Sequence, residues 1–276
     1  LPACKKDKAG GGGGDPDPDL NPGPTPSQAS GSDYLLFARL DAKQIRDSDL
    51  FTEVKQAFAK AGGTAEWDQV EEQVAKELGG IKPTDIDAVT ACVTELPPRG
   101  EPKLVLVVSS SKPFQKAGAF GIGPGDKPDA RGFYAVRGGG QALVHFPDAK
   151  TAVVLHPDLA DRYLGGYAAD RAGWPMTADL AKAAAGHALF AVVNVDKVPR
   201  EVLDAPEARE FTPLLAARTV TLTADLKGKT LTAAARATFP DAAAAGRAKG
   251  TVQKFLGMAV GEVESVMSGK AMGDLG

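Results

Sequence analysis

From Asp33 onward the chain alternates between stretches whose apolar residues recur every second position and stretches where they recur every third or fourth. "DYLLFARLD" has the shorter period, a strand with Leu36, Ala38 and Leu40 on one face. A helix follows, capped around Asp47 to Asp49, with Leu50, Val54 and Phe58 as its apolar stripe and Gly62-Gly63 as its end. "TAEWDQVEEQVAKELGG" repeats the helical period and aligns Trp67, Val70, Val74 and Leu78, closing on Gly79. Two strands come next, "DAVTACVTEL" and "KLVLVVSSS", then a short helix from near Pro113. After a loop-rich stretch from Gly121 to Gly140, "FYAVRGGGQALVHFPDAKTAVVLHPD" reads as three short strands joined by a Gly turn and a Pro-Asp turn. Helical segments near Asp158 to Leu164 and Thr177 to Ala185 close this part.

The pattern then begins again. Leu36-Phe37-Ala38 is matched by Leu189-Phe190-Ala191 at an offset of 153, and Val89-Thr90 by Val220-Thr221 at 131. Lys103-Leu104 and Pro113 are matched by Thr230-Leu231 and Pro240, both at 127. The order strand, helix, strand, strand, helix therefore occurs twice, and the helix holding Trp67 accounts for the extra 22 residues of the first copy. In the second copy Val220, Leu222, Ala224 and Leu226 are predicted to face the helices, with Thr219, Thr221 and Thr223 opposite. Cys92 aligns with Thr223 and belongs to this second, half-polar face, which either meets solvent or lines a groove between the copies. A last helix, about Asp241 to Met267, carries Val252, Phe255, Leu256, Val260 and Val263. Its Gly246, Gly250, Gly257 and Gly261 suggest close backbone approach, while Arg247, Lys249, Lys254, Glu262 and Glu264 exclude a bilayer span.

The expected fold class is α+β: a mainly antiparallel sheet with helices on one face, made of two weakly similar strand-helix-strand-strand-helix repeats. Residues 33–186 form the first repeat with its inserted helix and extra strands, and residues 187–276 the second, packed together as one globular unit. Residues 1–32 form a disordered linker.

Composition adjusts this picture at the front of the chain. Residues 10–31 concentrate Gly and Pro, a flexible coil passing into a stiffer tether, while 43% hydrophobic residues overall suffice for a core. The net charge of −3 lacks the basic stripe that would neutralise phosphates, so nucleic acid is not an expected partner. Leu1-Pro2-Ala3-Cys4, followed by Lys5-Lys6, places a small residue before a cysteine. These residues resemble the lipobox of bacterial lipoproteins, whose cysteine is lipidated. That resemblance implies acylation of Cys4, export, and anchoring to a bacterial membrane on its periplasmic or cell-surface side. A Cys4–Cys92 disulfide is the competing arrangement.

The motifs that imitate catalytic or binding chemistry have structural explanations. Ser109-Ser110-Ser111-Lys112 has the S-x-x-K spacing, without the further elements that penicillin-binding enzymes need, and sits where a cap is wanted. Gly228-Lys229-Thr230 joins two strands and reads as a hairpin turn, and Gly121 to Gly125 as a surface loop. Asp15, Asp17 and Asp19 lack the glycine of a calcium loop. His145 and His156 precede Pro-Asp turns; with His156 opposite Gln141 they stand about 13 Å apart on one face, too far to share an ion, and His187 begins a strand alone. No catalytic, cofactor-binding or metal-ligating residue is assigned.

The whole layout of lipobox, Gly/Pro tether and Ala-rich duplicated α+β body resembles the uncharacterised exported lipoproteins of GC-rich bacteria, of the planctomycete type. The resemblance implies no activity. The expectation is a membrane-tethered, non-catalytic binding or interaction module of the cell envelope, its partner an envelope protein or a small ligand. The alternatives are an enzyme with a site between the two repeats and a carrier of an apolar ligand.

Overall fold

The computed structural model describes residues 34–60, 64–97, 100–136, 141–170, 178–203 and 212–267. The lipobox with Cys4, the tether, Asp15 to Asp19, Gly62-Gly63 and the Gly turn before Gln141 lie outside them, as do the side chains of Trp67, Phe255, Leu256, Val260 and Val263.

Among the described residues nine strands form one sheet: β1 (Leu36–Leu40), β2 (Ile86–Glu95), β3 (Lys103–Ser110), β4 (Tyr134–Ala135), β5 (Leu143–Asp148), β6 (Thr151–Leu155), β7 (Leu189–Asn194), β8 (Thr219–Lys227) and β9 (Thr230–Thr238). Their order is β4-β5-β6-β3-β2-β1-β7-β8-β9, and every neighbouring pair is antiparallel. The helices are α1 (Ala42–Arg46), α2 (Asp49–Lys60), α3 (Thr64–Glu77), α4 (Ala160–Asp170), α5 (Ala178–Ala184), α6 (Arg200–Leu203) and α7 (Ala242–Met267). Mixed helix and strand around a large antiparallel sheet is the α+β class expected from the periodicities.

Helix boundaries follow the capping residues. Asp41 accepts the Gln44 N–H to start α1, and Ser48 Oγ accepts the Phe51 N–H to start α2. Asp241 does the same for α7 through the Ala244 N–H. At the end of α3, Gly79 adopts φ +62°, and a Cβ there would sit 2.3 Å from the Gln115 carbonyl oxygen. Only glycine fits this left-handed, crowded turn. No helix forms at Pro113; Ser110 and Ser111 instead donate their hydroxyls to the Asp85 carbonyl oxygen at 3.0 and 3.1 Å, which holds the chain in a loop.

Two rows of side chains cross the sheet. Leu143, Leu155, Val105, Cys92, Phe37, Val192, Thr221 and Arg236 are successive neighbours on one face. Val144, Val154, Leu106, Ala91, Ala38, Ala191, Leu222 and Ala235 are their counterparts on the other. Cys92 is thus on the face of Thr221 and Thr223, as its alignment predicts.

Helices pack on both faces, which corrects the one-face expectation. On the first face, Leu180 and Ala184 of α5 cover Phe37, Cys92, Phe190 and Val192, while Ala160 and Tyr163 of α4 cover Val105, Val153 and Leu155. On the second, Ile81, Phe114 and Ile122 from the loops cover Val108, Val144 and Ala152. Further along, α7 packs beside β9 and buries Ala244 and Ala248. Ala233, Ala235 and Ala237 are half-buried there, whereas the alternate positions of β9 are exposed. In the central strands the first face is buried, at Phe37, Ala88, Thr90, Cys92, Phe190 and Val192, while Ala38, Ala91 and Ala191 on the second are half-buried, so the cover on the two sides is unequal. Beyond Val192 the first face turns polar, and at β8 and β9 its threonines are left half-exposed or exposed.

Three finer expectations fail. Val70 is 56% exposed and does not join a packed stripe. A Cβ added at Gly246, Gly250 or Gly257 meets nothing within 4 Å, so these glycines serve no close approach. In the β5–β6 hairpin Leu143 faces Leu155, one residue from the pairing expected through the turn, and the register shifts between His145 and Asp148. A one-residue slip reverses faces, so His145 and His156 do not share one.

Candidate functional site

An open cleft of about 390 Å³ lies where β2 ends and β3 begins, lined by Thr94, Glu95, Lys103, Asp158, Leu159, Arg162 and Lys197. Five elements of the chain meet there. Thr94 and Glu95 close β2 and Lys103 opens β3; Asp158 comes from the 3-10 turn Pro157–Leu159, Arg162 from α4, and Lys197 from the 3-10 turn Val195–Lys197 after β7. Lys103 Nζ lies 2.9 Å from Glu95 Oε2 and 3.2 Å from Asp158 Oδ2, and these two carboxylates hold the ammonium above its ordinary pKa, Glu95 most. Thr94 Oγ1 donates to the Lys103 carbonyl oxygen at 3.2 Å, fixing the two strand ends together. Among the described residues three cations and two carboxylates line the cleft. Arg162 and Lys197 also act on Cys92, each favouring its thiolate. The cleft's charged side chains can meet a polar or ionic group presented from solvent.

A second open cleft, of about 630 Å³, lies at the other end of the strands, lined by Asp41, Lys43, Gln44, Asp47, Ser48, Asp49, Gly186, Leu226 and Gly228. Its polar groups serve the fold. Asp41 and Ser48 are caps, Lys43 pairs with Asp47 at 2.7 Å, and the Leu50 N–H donates to the Gly228 carbonyl oxygen, pinning α2 to the β8–β9 turn. Beside this cleft His187 Nδ1 stands 2.7 Å from Asp225 Oδ1, its ring stacked on Phe190. Sequence separation hid this pair, since Asp225 is 38 residues away; both lie at the same end of adjacent strands.

The other singled-out residues take structural roles. Cys92 is buried and has no disulfide, and burial pushes its thiol up to about 12 against the weaker opposing effect of Arg162 and Lys197. Such a thiol is not a nucleophile at neutral pH. Lys112 of the S-x-x-K stretch pairs with Asp85 at 2.9 Å, and the Lys112 N–H donates to Ser110 Oγ. Gly228 and Lys229 make a two-residue hairpin turn, and the Gly123 N–H donates to Asp126 in a loop, both as expected. His156 Nδ1 accepts the Asp158 N–H as a cap. His145 Nδ1 and the Tyr163 hydroxyl are 3.0 Å apart beside Phe133; burial, then Lys116, holds the imidazole below its usual pKa. No group of three or more His, Cys, Asp or Glu placed to hold a metal occurs among the described residues. No family model, curated protein or solved structure matches this chain.

Proposed function

We propose that this chain is a membrane-tethered, non-catalytic binding module of the cell envelope, held by a lipid on Cys4 and presenting the Lys103–Arg162–Lys197 cleft to an anionic ligand. The observation that carries the tether is Leu1-Pro2-Ala3-Cys4 running directly into a Gly- and Pro-rich segment that ends where the strands begin. A coil of that length reaches on the order of 30 Å, enough to hold the sheet clear of headgroups. No helix among the described residues is long and apolar enough to cross a membrane.

The body itself we infer to be a duplication. In support, Ala38 pairs with Ala191, Ala91 lies opposite Ala38, and Leu222 opposite Ala191, which keeps the offsets of 153 and 131. The order β3-β2-β1-β7-β8-β9 reads outward alike from the β1–β7 junction. For the third strands the register makes Leu106 and Ala235 equivalent, 129 apart, so matching Lys103 to Thr230 is two residues out. A two-residue slip keeps every side chain on its face and is invisible to a period-two pattern. On this reading the cleft joins the halves, Lys197 coming from the second and its other lining residues from the first.

Metabolic labelling with a clickable fatty acid, in cells expressing the precursor with its own leader, tests the anchor. Label on the wild type and none on C4S is expected; an unlabelled wild type beside a labelled control lipoprotein overturns it. For the cleft, citrate and inorganic phosphate are expected to raise the melting temperature of the wild type but not of the R162E/K197E variant. Equal response of both proteins removes the cleft from the reading.

A further inference from the structure

The sheet ends, among the described residues, on β9, a nine-residue strand with no proline, no register shift against β8, and a single charge, Arg236. Among the described residues its backbone hydrogen bonds come from β8 and from Arg218 just before it. Every second residue of such a strand turns its N–H and C=O outward, and natural edges of this length are usually blunted by lysine, proline or a bulge. Here Thr230, Thr232, Ala234, Arg236 and Thr238 are all exposed, and Arg236 is the one charge that interrupts the run.

The order of side chains identifies the partner. Read in both directions from Ala234, "TLTAAARAT" is close to a palindrome. If a second β9 is laid antiparallel about Ala234, Ala233 meets Ala235, Leu231 meets Ala237, and Thr230 meets Thr238. Arg236 faces Thr232, so no like charges stand opposite, and threonine pairs are among the favourable cross-strand neighbours. A parallel arrangement would set Arg236 over its own copy. The chain already contains a junction of this kind: β1 and β7 meet antiparallel with Ala38 against Ala191 at the centre.

We propose that two copies of this chain join through β9, antiparallel and centred on Ala234, extending the sheet from nine strands across the dimer. The contact is isologous, each copy giving and receiving the same hydrogen bonds. Light scattering on the full chain is expected to give about twice 28.5 kDa, and the A234K variant, which places two lysines face to face, the mass of a single chain. Circular dichroism identical to the wild type shows A234K to be folded. A second readout uses cysteine: in a C4S background, A234C stands against itself and is expected to form an interchain disulfide under mild oxidation. T230C stands against Thr238 of the second copy and is expected to form none. A wild type that runs as a single chain at every concentration overturns the proposal. So does a dimer that survives A234K, or one that A234C fails to cross-link.

Discussion

Asp85 is a buried carboxylate whose contribution can be worked through its neighbours. Its Oδ2 accepts the Lys82 N–H at 3.2 Å and its Oδ1 meets Lys112 Nζ at 2.9 Å. Alanine would remove both, while the backbone carbonyl would keep its bonds from Ser110 and Ser111. A hydrogen bond to a charged group contributes about 1.5–3 kcal/mol. The Lys112 side chain is exposed, so the ion pair adds at most about 1 kcal/mol. Asp85→Ala should therefore cost about 2–3 kcal/mol at neutral pH, and Asp85→Asn, which retains an acceptor, about half that. The pH dependence follows from the sign of the shift. Burial alone would raise the carboxyl pKa, but the Lys112 ammonium and the Lys82 N–H outweigh it and hold it below the ordinary value. Folding thus favours the ionised form: the contribution is complete above about pH 4, the unfolded value, and disappears as pH falls through the lower folded one. Urea unfolding of the wild type, D85A and D85N from neutral pH down to about pH 3 measures this. A D85A cost below about 0.5 kcal/mol at neutral pH, or a gap that stays constant into acid, would refute the reasoning.

Three further outcomes are expected. Gly250→Ala, at an exposed position inside α7 with open space around it, should stabilise by about 0.5–1 kcal/mol, and destabilisation would mean that something packs against that glycine. Because burial and then Lys116 lower the pKa of His145, its contribution is complete above about pH 6.5 and is lost as pH falls toward the folded value. H145Q should therefore flatten the stability profile across that window, and parallel profiles would remove His145 from it. In a C4S background Cys92 should resist iodoacetamide in the native protein at mildly alkaline pH and react once urea unfolds it; equal rates would contradict its burial.

The elements were legible wherever one period ran unbroken. Leu50, Val54 and Phe58 locate α2, and the alternation of Val220 to Leu226 locates β8, but Leu222, expected to face the helices, is 37% exposed. What escaped was the second layer of helices. "LFARL", "KLVLVV" and "LFAVVN" are apolar at almost every place, and that continuity is the signature of strands buried on both sides. Placing Leu36, Ala38 and Leu40 on one face passed over Phe37, which is wholly buried, while Leu40 is exposed. The one-residue register difference at His145 arose where the β5–β6 pairing is irregular, and no composition signal marks such a place. The charged cleft was out of reach for another reason: Thr94, Lys103, Asp158, Arg162 and Lys197 come from separate elements, and only the sheet order brings them together. Ser110 and Ser111 cap no helix, contrary to the expectation at Pro113; the group they serve, the Asp85 carbonyl, is a long-range partner that no local pattern announces.

The far edge of the sheet limits how this chain can assemble. β4, the outermost strand there, is only two residues long and cannot template a nine-residue neighbour. Head-to-tail stacking, β9 of one copy on β4 of the next, would give an open filament, and the two described residues of β4 offer it little to pair with. Among the described residues the sheet has one long edge and one clipped edge, so pairing through β9 would close at two copies instead of continuing into a fibre.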